Sequence, residues 1–442
     1  MVDHLTRPIT ITSRAYYLLV LALFMGVAWG LFAWVCQLYR GLGVTGMNNS
    51  VAWGVYITNF VFFIGISHAG TLISAILRVS GAEWRRPITR AAEAITVFAL
   101  VLGASQILFD MGRPDRILNA VFYGRLGSPL LWDVVCISIY LLSSIFYLFL
   151  PLIPDLAILR DHGNSSGWRK ELYRILAVGW DGNTEQRRRL EKAIGIMAVL
   201  IIPIAVSVHT VVSWIFGMTI RPMWHSSILG PYFVVGAIFS GIAAIIIAMA
   251  ILRKVYHLEN YLKPIHFNYL GILMLTMTSL WFYFTLSEYL TTGYGALSEE
   301  WEVFIAKVAG EFELLFWIMV ASMTIAFFLL LLFRSKWAIG ATTVASVFIV
   351  LGMWIERYTI VVPTLTKLSG HEVHMYHPTW VEWSITAGSV SGFVLLYVLF
   401  VKLFPIISIW EVEESKEALD EKLDHMKSYL PAGSPELGEA VP

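Results

Sequence analysis

Apolar residues occur in blocks of about twenty or more, separated by short polar segments, at 15–39, 51–77, 91–109, 130–150, 193–217, 230–252, 267–290, 312–333, 338–362 and 381–405. A bilayer core takes on the order of 20 apolar residues per helix, and only helices or closed barrels satisfy their backbone there. Barrel strands would be half as long and alternate in polarity. The blocks therefore predict an all-α polytopic membrane protein with ten transmembrane helices. The first block, Ala15 to Tyr39, is longer than a signal-peptide core and no small-residue cleavage site follows it, so it reads as a retained helix.

Between the fourth and fifth blocks lies the one sizeable polar segment, 151–192, with Trp168, Arg169 and Lys170 and then the run Arg187, Arg188, Arg189. Short interfacial helices are expected in it, with Thr184 as a candidate cap. The other divisions are an N-terminal arm, 1–14, a membrane domain, 15–405, and a charged tail, 406–442, expected to be a short soluble helix and a disordered end. Alternate sides of the chain differ in basic residues. The side bearing both termini and the 151–192 loop holds 23 of the 31 Lys and Arg, the other side 7, and Arg357 lies inside a block. That asymmetry predicts both termini in the cytoplasm.

Composition narrows the function. Charged residues make up 14% of the chain against 57% hydrophobic, whereas a soluble domain carries roughly 25% charge. A net charge of zero argues against nucleic acid as a partner. Cys36 and Cys136 fall in apolar blocks, with no CxxC or CxxCH pattern for zinc, an iron–sulfur cluster or a c-type haem. No block carries the two histidines of a two-haem bundle, so no metal or haem is expected on this chain.

Ionisable groups in lipid are costly, so each is a candidate for function. Helical rise puts Asp110, Asp133, Glu288 and Glu382 near the outer face, and His209, Glu356 and Arg357 in the outer third. Glu288 and Glu382 either belong to a polar site there or snorkel to water. Glu356 and Arg357 read equally as a structural ion pair or as site residues. His68 lies on the cytoplasmic half, with Glu93 on the same side and Ser105 and Gln106 further out. This ladder is either a proton path or a set of interhelical hydrogen bonds.

Several stretches, in this order, resemble the NrfD/PsrC family of quinone-interacting membrane subunits: AWGVYITNFVFFIGISHAGTLISAIL, DMGRPDR, SPLLWD, VSVHTVVSW, PMWHSSILGPYFVVGAIFSG and GMWIERYTIVVPTL. The resemblance covers roughly 45–405 and is greatest to the NrfD-like subunits (ActC/ActF type) of alternative complex III. It implies two four-helix bundles plus flanking helices, in a bacterial cytoplasmic membrane. It also implies a chain without its own redox centre that binds quinol, here expected to be menaquinol, near the outer face. Electrons would pass to an extracytoplasmic iron–sulfur subunit of a respiratory or photosynthetic complex. A second NrfD-like subunit, haem c subunits and lipids would be its other partners. Related subunits often carry histidine before the xGRP turn, where this chain has Asp110.

Quinol oxidation releases protons with its electrons, so the site needs hydrogen-bond partners and a base. Asp133 and His209, with Asp110, are the candidate acid–base groups. Tyr56 and Trp132 offer flat surfaces for the ring, and Asn59 a neutral partner. Arg113 either holds Asp110 or Asp133 charged or caps a helix end. Trp224 and His225 line the site mouth or a partner interface. His68, Glu93, Ser105, Gln106, Glu288, Glu356 and Arg357 are the candidate proton path. A secondary transporter, or a membrane anchor of a polysulfide or molybdopterin oxidoreductase without its own quinone site, are the alternatives. A transporter tends to show broken helices at matching positions of two repeats, and no such pair is evident.

Overall fold

The computed structural model describes residues 2–162, 167–332, 338–367 and 375–414. In chain order the α-helices are α1 (Val2–Thr10), α2 (Arg14–Arg40), α3 (Val55–Val79), α4 (Arg86–Asp110), α5 (Asn119–Phe122), α6 (Pro129–His162) and α7 (Trp168–Leu176). There follow α8 (Thr184–Met218), α9 (Leu229–Val255), α10 (Pro264–Gly295), α11 (Ser298–Val308), α12 (Glu313–Leu332), α13 (Ala338–Thr366) and α14 (Trp380–Leu403). Ten of them, α2, α3, α4, α6, α8, α9, α10, α12, α13 and α14, are long and apolar enough to cross a membrane.

Packing divides the ten into neighbours. α3 lies at the centre and touches α4, α8, α9 and α13, and α6 closes against α8 and α4. α9, α10, α12 and α13 pack on one another, while α2 and α14 form a pair that leans on α4 and α3. Small residues allow the closest of these approaches: a Cβ on Gly30 would meet the Gly388 backbone, so α2 and α14 touch backbone to backbone there. α2 is largely exposed along its length, as a lipid-facing helix without a hydrophobic drive to hide from its solvent would be.

The helices outrun the apolar blocks in the segment expected to be a loop. α6 continues through Pro151 and Pro154 to His162, and α8 begins at Thr184, leaving only α7 and its flanks between them. Hydropathy marks where lipid ends, not where a helix ends. Asn183, not Thr184, caps α8, its side chain accepting from the Gln186 amide at 2.8 Å. The tail departs from expectation as well. Residues 406–414 dock where the C-terminal end of α3 meets the N-terminal end of α4, and there buried Glu411 lies 3.4 Å from both Arg78 and Arg85. The expected disordered end, 415–442, lies outside the described residues. The N-terminal arm contains α1, whose last carbonyls are held by Lys402, with Nζ donating to Pro8 O at 3.0 Å and Ile11 O at 2.8 Å.

Candidate functional site

His68 and His209 meet. Their ring centroids are 4.1 Å apart, at the contact of α3 with α8, and both rings are fully buried. His68 is the fourteenth of the 25 residues of α3, hence at mid-span and not in the cytoplasmic half. Contact with His209 brings that residue to the same depth. His68 is anchored by the Ile64 carbonyl, 2.8 Å from Nδ1, and by the Ala205 carbonyl at Nε2. Among the described residues neither ring nitrogen of His209 has a hydrogen-bond partner. Tyr140 of α6 packs on His68 at 5.0 Å and donates to Ser67 O at 3.1 Å.

Arg357 extends this layer into the second half of the chain. Its guanidinium lies 4.9 Å over the Phe233 ring, which in turn is 6.4 Å from His209, and a Cβ on Gly236 would collide with it. Gly236 is thus a required gap for the cation. Arg357 Nη1 is 3.0 Å from Glu356 Oε2, both side chains 2% exposed, so the adjacent pair is buried. Glu356 Oε1 accepts from Trp281 Nε1 at 2.5 Å, and the nearby Tyr232 hydroxyl is 3.2 Å from Thr285 Oγ1. Further out, Tyr289 lies within electrostatic reach of Glu356 and Glu288, and Glu288 accepts from Ser226 Oγ at 2.8 Å. Lys307 of α11 is buried beside them. Desolvation pushes its ammonium down to about 8, against the opposing pull of Glu288 and Glu356. Glu288 is therefore bound into a network, not snorkelling. His225, half exposed, ends the series with Nε2 3.3 Å from Glu300 Oε1.

Glu93 lies on the other side of the histidine layer, and its connection differs from the expected one. It accepts from Ser74 Oγ at 2.7 Å, which is 3.2 Å from Tyr147 Oη. Tyr147, Ser144 and Tyr140 share one face of α6 at helical spacing, and the Ser144 hydroxyl is buried without a partner. They form a polar stripe from Glu93 toward His68. Ser105 and Gln106 belong elsewhere: Ser105 bonds Leu102 O at 2.7 Å, and Gln106 donates to Ser389 Oγ of α14 at 2.9 Å. They line the flank, so the ladder expected along α4 is replaced by one along α6.

The expected single outer-face site divides similarly. Tyr56 donates to Gln37 Oε1 at 2.6 Å, and Asn59 bridges Thr386 and Trp354 at 2.9 Å each. Both residues thus face α2, α13 and α14. Asp110 is on that side, acting electrostatically on Tyr56 together with Glu382, and its Oδ1 is buried unpartnered. Glu382 is structural: it is fully buried and accepts from the amides of Gly46 at 2.7 Å and Thr379 at 2.9 Å, in a capping box. It also accepts from Tyr376, whose hydroxyl burial and this carboxylate hold well above the ordinary tyrosine range. Asp133, buried near the start of α6, stands apart with an unpartnered Oδ1. Arg113 holds neither aspartate. It is exposed and forks onto its neighbour Asp115 at 2.9–3.0 Å. Trp132 is in the first turn of α6, donating to Leu126 O of the preceding loop at 2.5 Å.

Trp224 and His225 do line a space. A cleft of about 900 Å³ runs between the C-terminal half of α8 and the N-terminal half of α9, walled by Thr210, Ser213, Trp214, Gly230 and Val234 among others, with Ser226 at its polar end. Trp224 is fixed by donation to Ile360 O at 2.9 Å and by stacking on Trp53 at 5.9 Å. His209 precedes the wall residue Thr210 on α8 but is not itself in the lining, and its ring faces His68 and Phe233. Volume and apolar walls with a few polar groups suit a flat amphiphilic ligand. Among the described residues no group of three or more His, Cys, Asp and Glu is placed to hold a metal ion.

These features define a polytopic helical membrane protein with a buried titratable core beside a lipid-facing cleft. Residues 43–369 match the polysulphide reductase NrfD family, and the chain belongs to it. It is 24% identical to the C subunit of the selenate reductase of Mesobacillus selenatarsenatis, over 86% of this chain and 92% of that one. Identity is also 24% to the Hdr-like menaquinol oxidoreductase integral membrane subunit of Archaeoglobus fulgidus, over 92% and 97%. A membrane subunit of Halobacterium salinarum is 31% identical over 52% of this chain and 49% of its own length. The family links the chain to quinone-interacting membrane subunits of respiratory oxidoreductase complexes.

Proposed function

We propose that this chain is the quinol-binding membrane subunit of a quinol-oxidising complex, with the quinol ring in the cleft between α8 and α9. The observation that carries the reading is that α8 bears both the cleft wall at Thr210 and Ser213 and the neighbouring His209, whose two ring nitrogens are buried without partners among the described residues. Oxidation of a quinol yields two electrons and two protons, which need an acceptor centre and bases. Trp224 supplies the flat surface, Ser213 and Ser226 the hydrogen-bonding groups, and His209, His225 and Glu288 the bases. The electrons would leave to an iron–sulfur partner docked on the outer face. Exposed Leu118, Val121, Phe122, Tyr123 and Leu126 there support such a contact. Grouping α3, α4, α6 and α8 as one four-helix bundle and α9, α10, α12 and α13 as a second accords with the helix neighbours.

The test is to fill the cleft. A Cβ on Gly230 would be 3.5 Å from Ser213 Oγ, so a larger side chain at this position projects into the space without striking backbone. Gly230→Phe in the assembled complex is expected to raise KM for quinol about tenfold, with kcat changed far less, the pattern of lost binding. An unchanged KM would reject the cleft as the site.

The polar series from Glu93 through Tyr147, Ser144, Tyr140, His68, His209, Arg357 and Glu356 to Glu288 supports a proton route across the membrane. In sealed vesicles, His68→Leu and Glu93→Gln are each expected to lower the protons moved per electron while quinol oxidation continues. Protons should appear on the side opposite the accessible C-terminal tail, as the basic asymmetry of the loops requires. A ratio unchanged in both variants would leave His68 a packing residue.

A further inference from the structure

A second cavity, of about 690 Å³, lies at the opposite end of the membrane from the cleft, where the α2–α14 pair meets α3 and α9. Its shaft is apolar, with Phe63, Ile66, Ala248, Ile251, Phe393 and Val394 among the walls. The lining runs along α14 from Val390 to Lys402, and along α9 from Ala244 to Val255. At helical rise these walls are about 18 Å and 16 Å long. One leaflet of a bilayer core is about 15 Å deep. The shaft therefore has the depth of one acyl chain and starts at the membrane's basic-loop side.

The mouth is cationic. Arg7, Lys402 and His257 line it, and among the described residues no aspartate or glutamate does. Lys402 uses two protons on the Pro8 and Ile11 carbonyls and has a third to give, with its ammonium 5.6 Å over the Tyr16 ring. Arg169 approaches the same point, donating to Ile9 O at 3.4 Å. Inside the shaft, Tyr397 lines the cavity with its hydroxyl buried and unpartnered, five residues or about 7.5 Å deeper than Lys402 along α14.

We propose that this cavity holds an anionic phospholipid from the leaflet on the basic-loop side. Its phosphate sits against Arg7 and Lys402, an ester carbonyl accepts from Tyr397, and one acyl chain fills the shaft. Basic pockets between membrane helices on the cytoplasmic side recognise such headgroups. A quinol head is neutral and leaves the fixed charges of Arg7 and Lys402 without a counter-charge, whereas a phosphate supplies one. The lipid would join three parts that protein contacts join only at their edges: α1, the α2–α14 pair, and the central helices.

The experiment uses the full chain, purified in mild detergent and reconstituted in nanodiscs of phosphatidylglycerol or of phosphatidylcholine. Retained lipid is measured by extraction and mass spectrometry, and the apparent Tm is read in each lipid. The wild type is expected to retain about one anionic phospholipid per chain and to melt higher in phosphatidylglycerol. Arg7→Gln combined with Lys402→Gln is expected to lower that retention by about tenfold or more and to remove the difference in Tm. Ala248→Phe, which fills the shaft and leaves every cation in place, should do the same even if the double variant fails to fold. Equal retention of both lipids by the wild type, quinone recovered in place of phospholipid, or full retention by Ala248→Phe would overturn the proposal.

Discussion

Replacing Asp155 by alanine is expected to destabilise the chain by about 3–5 kcal/mol, the usual cost of removing one partner from a buried ion pair. Asp155 and Arg90 are 0% and 1% exposed and paired to each other between α6 and α4. The carboxylate also accepts from the backbone amides of Ile409 at 3.2 Å and Trp410 at 2.9 Å. Arg90 donates in turn to Pro151 O at 2.7 Å, and to Pro405 O and Ser408 Oγ at 3.3 Å each. One charge pair thus fastens two spans and the start of the C-terminal tail. Asp155→Ala would leave a guanidinium buried without counter-charge and two amides without acceptors. Thermal unfolding in detergent, with limited proteolysis at 405–414, reads both consequences. The double variant Arg90→Met with Asp155→Leu should recover much of the loss, since an apolar pair avoids the stranded charge. An unchanged melting temperature in Asp155→Ala would show that the pair holds nothing.

Asp155 also marks where the sequence stopped being readable. The ten spans were legible because ten successive apolar blocks of bilayer length are what a lipid solvent demands of helices and what a water-soluble core does not. Helix ends were not: Arg187, Arg188 and Arg189 read as loop, yet they continue α8 past the lipid, where helix costs nothing extra and Asn183 supplies the cap. Asp155 fell in a segment assigned to the loop, and its partner is 65 residues away, a distance no local pattern encodes. Glu382 was different. Thr379 and Glu382 form a capping box whose spacing is local and could have been read directly. The ionisable candidates within spans were found by one rule, that charge in lipid is costly, and that rule gives depth but not direction around the helix axis. Hence Gln106 and Glu93, on one helix, face opposite neighbours. His68 and His209, assigned to different ends of the membrane, touch. Tyr140, Ser144, Tyr147, Tyr232 and Tyr289 were missed because an aromatic or hydroxyl residue in an apolar block carries no such signal.

The second large effect is expected at His209 and Asp133, and its signature is the reverse of that at Asp155. His209→Leu should lower quinol turnover by about tenfold or more, because losing a positioned acid–base group costs ~10²–10⁴, and Asp133→Asn, outside the cleft, should match it only if protons leave by way of that carboxylate. Stability should hold. A buried polar group without a partner already bears its desolvation cost, so replacing it with a group of similar size is neutral or stabilising. Both ring nitrogens of His209 and Oδ1 of Asp133 are in that state, unlike either carboxylate oxygen of Asp155. The two positions are also separate, since His209 sits in the mid-span layer with His68 and Asp133 near the N-terminal start of α6. They can therefore be told apart. If quinol is bound in the α8–α9 cleft, His209→Leu should remain impaired at every quinol concentration. Asp133→Asn should act on the release of protons and shift the pH dependence of turnover. Turnover and apparent melting temperature are measured on the same intact complex. Lost turnover with an unchanged melting temperature supports a chemical role. Near-normal turnover removes the residue from the site, and loss of both together assigns it to packing.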